Sequence, residues 1–273
     1  MATPRLAFAL LCALLGTPAA SLDAQLTVSR LDITVTPSDT TRVMASFVVR
    51  NTGTTAAQGT VTREDWDRAE NGDNQFMPSG STRNSCGTLM SVFPVAFRLE
   101  PAGEQTVRVA IERVANTAKE CWEIVFVQDV PQKRAPTQSG LEYTLRTGVK
   151  IYVAPAGLTR DAAVTHMAVA QGARASAPTR SSVSPQAKER ITIQFTNSGE
   201  LHLAAKGRIE IRRLDNSTVM ELDIPEFPTL PGAVRRLEVD IPPALPAGKY
   251  VALAMIDFGS RDIAAGHLEL TIR

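Results

Sequence analysis

The sequence is short of the residues that do chemistry. It holds three histidines, three cysteines and only 5% aromatics, and its charges almost cancel, with 29 Lys and Arg against 28 Asp and Glu. A net charge of +1 without a basic stripe excludes the clustered cations that nucleic-acid phosphates require. His166, His202 and His267 stand apart, with no His-x-x-x-His pair to suggest a metal site, and read as structural residues. No Gly-x-Ser-x-Gly elbow, phosphate-cradling glycine loop or cysteine-nucleophile signature occurs. The acidic stretch DRAENGDN, Asp67 to Asn74, lacks the Asp-x-Asp-x-Asp-Gly spacing of a calcium loop and reads as a solvated loop. Asn216-Ser217-Thr218 fits a glycosylation sequon, a pattern short enough to arise by chance. These absences point away from an enzyme and from any cofactor or metal, and towards a binding protein.

A membrane-length apolar run is also missing. Leu6 to Leu15 is apolar, about half of the ~20 residues a spanning helix needs. With Arg5 before it and small residues after it as far as Ala24, the stretch reads as a secretory signal over residues 1–24, cleaved after Ala24. Cys12 lies inside the apolar run, without the small residues that precede a lipoprotein cysteine. The expected location is the periplasm or the exterior. An oxidising compartment favours a Cys86–Cys121 disulfide over two buried free thiols. Closing that loop contributes roughly 3 to 4 kcal/mol in the chain-entropy model.

What the chain has in quantity is strand signal. Alternating or β-branched runs occur at Leu26 to Val35, Val43 to Arg50, Gly59 to Glu64, Met90 to Leu99, Thr106 to Glu112, Cys121 to Val127 and Glu142 to Val153. Turn residues such as Asn51-Thr52-Gly53 and Asn71-Gly72-Asp73 punctuate them. The pattern predicts an all-β, immunoglobulin-like sandwich over residues 25–155. After one short run at Ala162 to Ala170, the stretch QGARASAPTRSSVSPQAKER reads as a mobile loop early in a second domain. Six more runs, from Ile191 to Ile272, predict a second sandwich over residues 156–273.

The halves echo each other. FVVRNTGTTAAQGTV around Asn51 has the outline of IQFTNSGELHLAAKGRI around Asn197, and LEPAGEQTVRVAI has that of LPGAVRRLEVDI. The echo supports two like domains, by duplication or by the general likeness of sandwich sequences; it says nothing of function.

For a binding protein built of strands, the available surface is a strand edge. In LEYTLRTGVKIYVAP, period two puts Leu141, Tyr143, Leu145, Val149, Ile151 and Val153 on one face, with Thr147 the polar interruption. Glu142, Arg146, Gly148 and Lys150 share the other face. The plainer reading of that run is the last strand of a sandwich, buried on one side.

Three features together resemble the periplasmic pilus-assembly chaperones, the PapD-like family: the Asn-x-Gly turn with TREDW after it, the segment FPVAFRLEPAGEQTVRV, and the strand TGVKIYVAP leading into the second domain. The resemblance covers mainly Leu26 to Pro155. It implies two immunoglobulin-like domains and reads the Pro/Gly corner before TVRV as part of a central strand pair. It also implies an envelope or pilus subunit as partner, with an outer-membrane assembly pore, and β-strand donation as mechanism. The donated side chains it implies are Leu145, Val149, Ile151 and Val153, approached through VPQKRAPTQSG, Val130 to Gly140. The family holds the subunit's terminal carboxylate with a first-strand Arg and a donor-strand Lys. Counting back from Pro155 puts that Lys on Gly148, with Lys150 about 7 Å further along the same face. The candidate anchors are therefore Arg30 and Lys150. The competing reading is a secreted or cell-surface structural or adhesive sandwich module that donates no strand.

Overall fold

The computed structural model describes residues 25–37, 42–112, 118–130, 144–171, 189–243 and 245–272. The signal segment, the approach segment from Pro131 onward, Leu141, Tyr143 and most of the Ala/Ser/Pro-rich stretch fall outside them. Among the described residues every regular element is a strand. In the first half these are β1 (Leu26–Val28), β2 (Asp32–Val35), β3 (Arg42–Asn51), β4 (Ala57–Arg68), β5 (Asn74–Pro78), β6 (Met90–Phe93), β7 (Ala96–Leu99), β8 (Glu104–Glu112), β9 (Cys121–Asp129) and β10 (Arg146–Val153). The second half holds β11 (Ala162–Gln171), β12 (Glu189–Asn197), β13 (Leu203–Arg212), β14 (Thr218–Thr229), β15 (Val234–Asp240), β16 (Gly248–Asp257) and β17 (Ile263–Ile272).

Each half forms two sheets. In the first, β1-β3-β8-β6 face β2-β10-β9-β4, with β5 and β7 both paired to β4. In the second, β11-β12-β15 face β14-β13-β16-β17. Strand alternation explains the cores. Phe47 and Val49 of β3, Val107, Val109 and Ile111 of β8, Val125 and Val127 of β9, and Val149, Ile151 and Val153 of β10 all point into one cluster. The second cluster is richer in isoleucine, with Ile191, Ile193, Ile209, Ile211 and Ile256 fully buried around Phe195. Burying each such side chain contributes about 1.5 to 3 kcal/mol. The Cys86–Cys121 disulfide lies in the first core, with Cα atoms 5.3 Å apart.

One expectation changes. The strands on either side of the Pro101–Gly103 corner do not pair with each other: β7 pairs with β4 and β8 with β3, so the corner carries the chain from one sheet to the other. Ala102 takes φ 60° to make the turn. Asn51 clasps it, since its N–H donates to the Gly103 carbonyl at 3.0 Å and its carbonyl accepts from Ala102 N–H at 3.0 Å. The second half repeats the device. Asn197 N–H donates to the Ala233 carbonyl at 3.0 Å, and Gly232 N–H, in a φ +75° turn, donates to the Asn197 carbonyl at 2.9 Å. Both asparagine side chains are fully buried and accept from the glycine two residues on, Gly53 and Gly199.

Candidate functional site

The last strand of the first sandwich has different neighbours along its length. β9 runs antiparallel beside all of β10, from Arg146↔Gln128 to Val153↔Cys121. On the other side β2 runs parallel only beside the second half, from Lys150↔Asp32 to Val153↔Val35. Lys150 N–H donates to the Leu31 carbonyl and Ala154 N–H to that of Val35, both at 2.8 Å, whereas the Leu145 carbonyl accepts from Asp129 on the β9 side. Backbone groups alternate sides along a strand. The N–H and C=O groups of Arg146 and Gly148 therefore face the β2 side, beyond the end of the β2 ladder, where no described strand pairs with them.

The side chains divide differently from the sequence expectation. Val149, Ile151 and Val153 are at 0% exposure in their own core, because the inner face of β10 closes the sandwich against β3, β8 and β1. These three cannot also fill a partner's groove while the domain is folded. Leu145, at 51% exposure beyond the closed part of the core, is free to do so. At Gly148 a Cβ would stand 2.4 Å from Ile124 Cδ1 and 3.0 Å from Phe126, so a side chain there would have to displace the end of Ile124. Lys150 is the cation on that face two residues beyond Gly148. Arg30 is exposed and precedes the parallel ladder, and the residue registered opposite Lys150 is Asp32. Sequence reasoning missed the cation that does reach Lys150, which is Arg68 at the end of β4.

Lys150 and Arg68 share the ring of Trp66, the Lys150 Nζ 4.5 Å and the Arg68 Cζ 5.4 Å from its centroid. Burial, and then Arg68, hold the Lys150 ammonium below its ordinary range, with Asp32 opposing. Burial lowers Arg68 as well. Trp66 belongs to an apolar patch on the outer face of the sheet with Trp122, Ile124, Phe126 and Tyr152, and Leu230 of the second domain covers it. Trp122 Nε1 donates to the Trp66 carbonyl at 2.8 Å, fixing the two indoles.

The second domain also borders this patch at His202 and at Arg235 and Arg236. His202 stacks on Tyr152 with ring centroids 3.8 Å apart, while its backbone N–H donates to buried Glu120 and its Nδ1 lies 2.5 Å from the same carboxylate. Burial pushes the Tyr152 hydroxyl far above its usual range, keeping it neutral. Arg235 and the backbone of Arg236 both donate to the Glu70 carbonyl, at 2.7 and 2.8 Å. Thus the segment read as a solvated loop, Asp67 to Asn74, supplies Arg68, Glu70 and Gly72 to the cleft. Its one sequence signal was TREDW just before it, which marks β4 but not where β4 ends.

Residues 31–159 match the family of pili and flagellar-assembly chaperones, PapD N-terminal domain. The first sandwich is a PapD-type domain. A chain from a chaperone–tip adhesin complex of CFA/I fimbriae biogenesis matches 90% of this chain and 98% of its own length, at 9% identity and a TM-score of 0.51. The class 5 fimbriae chaperone CfaA matches 91% of this chain and 100% of its own, at 10% identity and a TM-score of 0.50. No curated protein sequence matches. At such identities the structural likeness speaks for the two-domain β fold alone. Family and fold together indicate a PapD-like fimbrial-assembly chaperone, which is not an enzyme class. Pilus chaperones of this family are periplasmic, and no described helix is long and apolar enough to cross a membrane.

Proposed function

We propose that this chaperone captures a pilus subunit by lending it the open half of β10, and anchors the subunit's terminal carboxylate on Lys150 and Arg68. The split in the partners of β10 carries the reading: the half from Lys150 onward is closed by β2, and among the described residues no strand takes up the β2-side backbone groups of Arg146 and Gly148. A subunit sandwich short of one strand would take up those groups as a new ladder, with Leu145 supplying an apolar side chain. Val149, Ile151 and Val153 then serve as the fixed root of the donated strand rather than its cargo. Arg68 replaces Arg30 as the second cation of the anchor. The match to a chain from a chaperone–tip adhesin complex supports a pilus subunit as the partner.

Co-expression with a pilus subunit and recovery of the complex tests this. Proline is tolerated at the first residue of an edge strand but brings no N–H. Arg146→Pro should therefore lower recovery about tenfold or more, the worth of about one lost charge-free hydrogen bond plus a blocked edge. Arg146→Ala, which keeps the N–H, should retain most of it. Leu145→Glu should fall with the proline variant. Ile151→Asp fails for another reason, because a charge in the core costs about 4 kcal/mol or more and unfolds the domain. Equal recovery with Arg146→Pro and Arg146→Ala would contradict strand lending.

A further inference from the structure

The cation row of the cleft does not end at Arg68. Gly72, at φ +96°, lies between two guanidinium groups: its carbonyl accepts from Arg68 Nη1 at 2.8 Å, and a Cβ built on it would stand 2.2 Å from Arg235 Nη2. Lys150, Trp66, Arg68, Gly72 and Arg235 thus form a continuous line from β10 of the first domain to β15 of the second. Within this line the Nε donors of Arg68 and Arg235 and the Nε1 of Trp66 are buried without a hydrogen-bond partner. Trp66 itself is 1% exposed. Unsatisfied buried donors are costly, and like charges this close repel unless an anion lies between them. Asp32 and Asp73 flank the row at its two ends, and neither forms an ion pair with it among the described residues; Asp73 instead accepts from Asn71 at 2.6 Å. Among the described residues the hydrogen bonds of Arg235 go to the carbonyls of Glu70 and Arg236.

Resting on the anchoring proposed above, we infer that the cleft reads two carboxylates, the subunit's terminal one at Lys150 and Arg68 and an acidic side chain of its last residue at Arg235. A lone terminal carboxylate held by Lys150 and Arg68 leaves Arg235 facing Arg68 with an unpaired donor. A C-terminal Asp or Glu carries a second carboxylate beside the first, as Arg235 stands beside Arg68 across Gly72. The residue that selects the client's terminus then belongs to the second domain, so capture also ties the two domains together.

The full processed chain carries its own reporter, since its two tryptophans, Trp66 and Trp122, both lie in the patch beside the row. Titration of indole fluorescence with three acetylated tripeptides tests the inference: one ending in Val-Asp with a free carboxylate, one ending in Val-Asn with a free carboxylate, and one ending in Val-Asp amide. The Asp acid should bind roughly tenfold tighter than the Asn acid, the size of one charge-assisted hydrogen bond. Arg235→Gln should bring that ratio close to one while leaving the preference for acid over amide. The peptide comparison on the unaltered chain decides the matter even if Arg235→Gln misfolds. Equal binding of Asp and Asn acids, with the amide weaker, overturns this inference and leaves the anchoring intact. Equal binding of acid and amide, or no response to any of the three, overturns both.

Discussion

In the first sandwich a buried asparagine, Asn51, clasps a corner that changes sheets; in the second, Asn197 clasps the equivalent corner with nearly the same hydrogen bonds. The frames match, yet their closing strands are treated differently. β17 pairs with β16 in ten registered positions, and Gly266 lets β11 pack against it so closely that a Cβ there would stand 2.5 Å from Val164. β10 has a second neighbour over only four registered positions and stands open before them. The first sandwich also holds the disulfide, whereas the second contains no cysteine. One scaffold thus ends once on a sheet-edge strand that β11 packs over, and once on a strand inside its sheet that β2 flanks along only its second half. The half of β10 without a β2 partner continues from a root of three fully buried side chains, and Cys121 of the disulfide is registered opposite the last of them, Val153.

Removing the staple should open the widest gap between the halves. Replacing Cys86 and Cys121 together by alanine should lower the stability of the first domain by about 3 to 4 kcal/mol, the chain-entropy value for a loop of this length. The second domain should be untouched. Calorimetry with and without reductant reads both transitions, and equal shifts in the two would dissolve the contrast drawn between them.

A smaller effect probes the likeness rather than the difference. Asn51→Ala and Asn197→Ala each strand buried backbone groups and should each cost about 2 kcal/mol. Asn51 should be the costlier, because its side chain donates to both Thr55 and Leu99 carbonyls and that of Asn197 donates only to Leu201. Chemical denaturation of the two variants measures the pair. A loss at one site and none at the other would mean that the buried asparagine side chain is not a shared element.

Much of this frame was legible in the sequence, because a sandwich strand buried on one side writes its face into alternate residues. The runs ending in Val153 and Ile272 pointed to two sandwiches, and the Asn-x-Gly echo to their likeness, though not to the clasps that Asn51 and Asn197 form. What escaped was set by contacts that no local pattern encodes. β5 has no buried alternation, since Asn74, Gln75 and Phe76 are all exposed, so the hairpin after Arg68 read as loop. A run of strand residues does not say which sheet receives it, hence the misplaced pairing across the Pro101–Gly103 corner. Val149, Ile151 and Leu145 look equivalent at period two, and only the other sheet decides that the first two are buried and the third is not. Arg68 and Arg235 are 167 residues apart and meet only once the domains pack, where Gly72 separates them.

The claim on which the account stands is that the backbone of Arg146 and Gly148 is vacant in the free chaperone and filled in the complex. Amide hydrogen exchange across β10 measures it directly, since an unpaired edge N–H exchanges from the native state and a paired one waits for opening. In the free protein the amides of Arg146 and Gly148 should exchange fast while those of Lys150 and Tyr152, on the β2 side, are protected. With a pilus subunit bound, Arg146 and Gly148 should slow to match them. Protection of Arg146 and Gly148 already in the free protein, or no change on binding, would contradict it.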